Sequence, residues 1–81
     1  MKLPRDISGE KLITLLAKYG YHETRRTGSH VRLTTTFRGG EHHLTVPAHD
    51  PLKIGTLNNI IMDVASYLEM DKQTVIKKLF E

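Results

Sequence analysis

The sequence predicts an α+β domain of order αβββα, a three-stranded antiparallel sheet with helices on one face and a short extra helix at the C-terminal end. Three observations carry this. Two segments repeat apolar side chains at helical spacing, the stretch between them alternates with a period of two, and glycine-containing breaks divide that stretch into three. At 81 residues the chain is expected to be one domain, 1–81, with a single core that buries roughly 60% of the unfolded surface.

The first helix is expected at about 9 to 19. Ser8 is a good N-cap, Ile7 and Leu12 are spaced as a hydrophobic staple, and Leu12, Ile13, Leu15, Leu16 and Tyr19 form the apolar stripe. Gly20 then suits a left-handed helix stop. From Tyr21 the composition turns to β-formers in YHETRRT, SHVRLTTTF and HHLTV. Gly28-Ser29 fits a two-residue type II′ hairpin, and Arg38-Gly39-Gly40 marks the second turn.

In the second strand Val31, Leu33, Thr35 and Phe37 are expected to meet the helices, and His30, Arg32, Thr34 and Thr36 to face solvent. Pro47 ends the third strand. A helix at about 56 to 69, with Thr56 as N-cap, carries Leu57, Ile60, Ile61, Val64, Ala65 and Leu68 on one face. Asp71 opens a short third helix with Val75, Ile76, Leu79 and Phe80 on one side.

Composition narrows the functions. No cysteine is present, which removes disulfide scaffolds, thiolate metal sites and thiol catalysis, and suits a reducing cytoplasm. No apolar run approaches the ~20 residues of a membrane span, and no export signal opens the chain, so a soluble cytoplasmic protein with no membrane partner is expected. Residues 1 to 40 carry eight Lys/Arg against three acids, and residues 41 to 81 carry four against six. A basic half suggests a polyanionic partner, of which nucleic acid is the commonest.

Five histidines raise the question of a metal. His42 and His43 are adjacent in a strand and point to opposite faces, and no acidic partner stands at ligand spacing, so no metal and no other cofactor is expected. His30 differs in its surroundings. It follows the Gly28-Ser29 turn on the open face, with Arg25, Arg26 and Arg32 nearby, where an RNA phosphate would bind and a 2′-hydroxyl would come within reach of the imidazole. RNA cleavage needs a base for that hydroxyl, cations for the developing charge and a donor for the leaving oxygen. Without more, the same residues fit a non-catalytic RNA-binding surface better, and the acidic second half leaves a small protein-interaction domain as a third reading.

Taken in order, ISGEKLITLLAKYGY, a basic strand, Gly28-Ser29-His30, a second hairpin, Val46-Pro47-Ala48-His49 and Gly55-Thr56-Leu57 resemble the HicA toxin family of type II toxin-antitoxin systems, over about residues 7 to 68. The resemblance implies a double-stranded-RNA-binding-domain-like fold and a metal-independent endoribonuclease that cleaves mRNA and inhibits translation. It also implies a HicB-like antitoxin partner, with which a hetero-oligomer is possible. The family's Gly-Ser-His motif falls on Gly28, Ser29 and His30, so His30 is the expected general acid or base. Arg25, Arg26, Ser29 and Arg32 are the expected RNA-binding residues. The second proton-transfer group is open between His42, His43 and a water. In YLEMDKQTVIKKLFE the glycine that often separates the last two helices in relatives is absent, so altered packing of the third helix is expected.

Overall fold

The computed structural model describes residues 3–81; Met1 and Lys2 of the expected domain lie outside the described residues. Helix α1 spans Gly9–Leu16 and tightens into a 3-10 turn at Ala17–Tyr19, so the helical stretch expected from the stripe has two geometries. The Ser8 hydroxyl accepts from the Lys11 N–H at 3.0 Å, satisfying one of the unpaired donors of the first turn. Ile7 and Leu12, the two halves of the staple, are both buried. Gly20 ends the segment at φ +79, where a side chain would be strained and its β-carbon would meet the Thr35 hydroxyl at 2.8 Å.

Strands β1 (His22–Thr27), β2 (His30–Thr35) and β3 (His42–Pro47) form one antiparallel sheet in the order β1-β2-β3. Val31, Leu33, Leu44 and Val46 are buried beneath the helices, as alternation requires for a sheet covered on one side. Two expectations for β2 are corrected. Phe37 is 58% exposed, because Thr35 ends the strand: its hydroxyl donates to the Tyr19 carbonyl and accepts from the Phe37 N–H, turning the chain away. Phe37 then stacks edge-on against Tyr19. Thr34 is buried on the open face, covered by Thr24 and His43, which both hydrogen-bond its hydroxyl.

Helix α2 runs Ile54–Leu68, starting two residues before the expected boundary, with Lys53 and not Thr56 at its N-cap. The reason lies just upstream. The Leu52 N–H is held by the Ile7 carbonyl at 2.8 Å and the Leu52 side chain is buried, so the chain is already anchored when Lys53 accepts the first helical bond from Leu57. The whole predicted stripe of α2 is buried.

Helix α3 (Lys72–Phe80) is capped by the Asp71 carboxylate, which accepts from the Thr74 N–H. It packs Val75, Ile76 and Leu79 against α1 and α2. Between the last two helices Glu69 takes the left-handed conformation, φ 56, that a glycine would adopt more cheaply, and it pairs there with Arg38. α1 and α2 lie over β3 and α3 lies outside them, so β1, one of the two edge strands, is left exposed along its length. Among the described residues no helix is long and apolar enough to cross a membrane.

Candidate functional site

The register of the β1–β2 hairpin decides which basic residues share a face, and a β-bulge in β1 decides where Glu23 points. Glu23 pairs with Leu33 and Arg25 pairs with Arg32, which leaves Thr24 as an extra residue. Alternation counted back from the Thr27–His30 pair sends Arg25 to the open face with Arg32 and Arg26 to the helix side with Val31. The bulge acts on the residues before them: it turns Glu23 to the helix side, opposite Leu33, and leaves Thr24 and Arg25 both on the open face, in a shallow depression shared with Arg32, Thr34, His43 and Glu41.

Arg26 faces the helix side instead. Its guanidinium donates to Glu23 at 3.0 Å and to Glu10 of α1 at 3.0 Å. These charge-assisted bonds, Glu23 first and then Glu10, raise the Arg26 pKa further, and the Arg26 hydrogen bond lowers that of Glu23. Of the basic residues marked in the sequence, the structure therefore joins Arg25 and Arg32 and separates Arg26 from them. Alternation counted back from the Gly28-Ser29 turn carries this partition, whereas the bulge that brings Glu23 to Arg26 has no local mark in the strand.

Arg25 and Arg32 stand directly across from each other on neighbouring strands. Like charges at such positions, with β-carbons ~5 Å apart, destabilise a sheet. No carboxylate pairs with either arginine among the described residues. The fold thus holds two cations without an ion-pair partner side by side on an exposed surface, with Glu41 at the far side of the depression beside His43, an arrangement suited to a phosphate.

His30 opens β2 at the same face, two residues from Arg32, which places their side chains roughly 7 Å apart along the strand. The preceding turn is tight: Gly28 has φ +58, and Thr27 and His30 close the hairpin as partners. The Ser29 carbonyl accepts from the Ala48 N–H, tying the hairpin end to the chain leaving β3. His30 is exposed, and no group among the described residues hydrogen-bonds its imidazole.

The other strand histidines are committed differently. His42 faces the helices: Nδ1 meets the Tyr21 hydroxyl at 2.7 Å, Nε2 meets Asp63 at 3.2 Å, and its ring stacks on Tyr67. Burial, then the Asp63 carboxylate and Tyr67, push the Tyr21 hydroxyl well above its usual pKa. His43 lies on the open face with Nδ1 at 2.9 Å from the Thr34 hydroxyl. His43 and His22 both stand across from Thr34, four residues along β2 from His30, or ~13 Å. Among the described residues no three His, Asp or Glu side chains are grouped to hold a metal ion.

One helix before the sheet, one after it, both on the same face, and a cationic free face define a small α+β domain of the double-stranded-RNA-binding type. A family model described as HicA toxin of bacterial toxin-antitoxin matches residues 9–65, most of the chain, and the chain belongs to that family. It is accordingly on the toxin side of a bacterial toxin-antitoxin pair. No curated protein and no solved structure matches it.

Proposed function

We propose that this toxin is a metal-independent endoribonuclease that cuts mRNA, with His30 as general acid or base at the end of the β1–β2 hairpin. Arg25 and Arg32 bind the phosphate at the cut, Gly28 and Ser29 form the turn that presents His30, and the exposed Ser29 hydroxyl adds a polar contact to the RNA. Arg26 supports from behind by holding β1 to α1 through Glu10. A HicB-like antitoxin neutralises the toxin by covering this face, in the reducing cytoplasm where mRNA is met.

The observation that carries the reading is the facing pair Arg25 and Arg32, neither of them in an ion pair, beside an imidazole with no protein partner among the described residues. A cation pair that costs stability is explained by an anion that binds it. The test is cleavage of RNA by the purified chain and by His30→Ala in the presence of a metal chelator. The wild type is expected to cut and the variant to lose ~10²–10⁴ in rate. Equal cleavage by both removes His30 from the chemistry. Salt-sensitive binding with the RNA recovered intact from the wild type favours the non-catalytic binding module on the same face.

A further inference from the structure

A single imidazole leaves the reaction incomplete. Attack of a 2′-oxygen on phosphorus forms the 2′-O–P bond and breaks the P–O5′ bond, giving a 2′,3′-cyclic phosphate and a 5′-hydroxyl. One group takes the proton from the 2′-hydroxyl and another supplies one to the departing O5′. The two oxygens lie on opposite sides of the phosphorus, so the two groups must straddle one phosphate.

Beyond Pro47, the last residue of β3, the chain stays extended. The Ala48 N–H points inward to the Ser29 carbonyl at 2.6 Å, and the His49 carbonyl points outward to the Gly9 N–H at 2.8 Å. Successive backbone groups that point to opposite edges are the signature of an extended strand, in which side chains alternate between faces. Pro47 stands opposite His30, and Ala48 packs against the core. By alternation His49 returns to the face of Pro47 and His30, and it is exposed. A diagonal neighbour of this kind has its β-carbon ~7–8 Å away, so the two rings can flank one phosphate, each nitrogen ~3 Å from its oxygen.

The other histidines do not meet this condition. His42 is on the helix side, bonded at both nitrogens, and His22 and His43 are ~13 Å along the strand from His30. Position 49 is also held in place. Gly9 lies so close to Pro47 that no side chain fits there, and its N–H fixes the His49 carbonyl. A backbone clamp of this kind restricts where the imidazole can reach.

We propose that His49 is a catalytic residue that forms a proton-transfer pair with His30, one imidazole taking the 2′-hydroxyl proton and the other protonating the leaving 5′-oxygen. This rests on the ribonuclease reading above.

The test uses the purified full chain, an RNA oligonucleotide with one mapped cut, and the same oligonucleotide with sulfur replacing the bridging 5′-oxygen. A thiolate leaves without a proton, so loss of the donor is masked on the sulfur substrate and loss of the base is not. His49→Ala and His30→Ala are each expected to slow cleavage of ordinary RNA by ~10²–10⁴. On the sulfur substrate one of the two recovers to near the wild-type rate and the other does not. The alanine at 49 leaves the Gly9–His49 backbone bond in place, and an unchanged melting temperature checks this. Wild-type cleavage of ordinary RNA by His49→Ala overturns the pair and leaves the ribonuclease reading standing, as does failure of both variants to recover. A wild type that cuts neither substrate overturns both.

Discussion

A β-carbon on Gly9 would lie 1.9 Å from the carbonyl oxygen of Pro47, well inside any contact that real structures allow. The first residue of α1 is thus pressed against the end of β3, and its N–H reaches the carbonyl of His49. This contact joins the helix layer to the chain that leaves the candidate site.

Gly9→Ala is expected to destabilise the fold. Alanine is the better helix former by up to ~1 kcal/mol, but forcing the helix off β3 costs ~1–3 kcal/mol or more, so the clash wins. Urea denaturation should show a lower midpoint at an unchanged slope. An unchanged or raised midpoint contradicts the contact.

Arg25→Ala and Arg26→Ala should part company in RNA binding. Losing one phosphate contact lowers the slope of log K against log salt by about 0.7–1. Arg25→Ala should show that reduction, and Arg26→Ala should keep nearly the wild-type slope because its guanidinium is held by Glu10 and Glu23 on the other face. Fluorescence anisotropy at several salt concentrations, with His30→Ala as the background to keep RNA intact, distinguishes them.

Stability should fall as the solution becomes alkaline. Tyr21 is held neutral in the fold by burial and by the nearby Asp63 carboxylate, so its folded pKa lies above the unfolded value of 10.0. Above that value the unfolded chain has lost the proton that the folded chain keeps, and stability declines with rising pH. Its contribution is fully present below pH 10 and is lost toward the raised folded value. Denaturation midpoints measured from about pH 8 upward should fall more steeply for the wild type than for Tyr21→Phe.

The C-terminal helix should be part of the cooperative unit, although the family match ends at residue 65. Ile76 is 1% exposed and Val75 and Leu79 bury beside it. Ile76→Ala is expected to cost ~2–5 kcal/mol, a large share of the roughly 5–15 kcal/mol typical of a whole domain. A loss below ~1 kcal/mol by chemical denaturation indicates that α3 docks loosely.

Much of the fold was legible because it is written in local chemistry. The Ser8 and Asp71 caps, the left-handed Gly20, the turn at Gly28-Ser29 and the apolar stripe of α2 each depend on residues within a few positions of one another. The alternation of β2 likewise placed Val31 and Leu33 inside and His30 and Arg32 outside. It failed at Phe37 because a side chain, the Thr35 hydroxyl, ended the strand by bonding to Tyr19 sixteen residues earlier.

By itself, then, the sequence determined the order of elements, the hairpin that presents His30 and the family to which the chain belongs. Tertiary structure alone decided what the basic and imidazole groups meet beyond the hairpin. An unmarked bulge at Thr24 brought Glu23 to the helix side beside Arg26, and the contact of Gly9 with Pro47 and His49 set the course of the chain beside His30. The reason is physical: a strand's faces are counted from its pairing register, and register depends on partners distant in the chain.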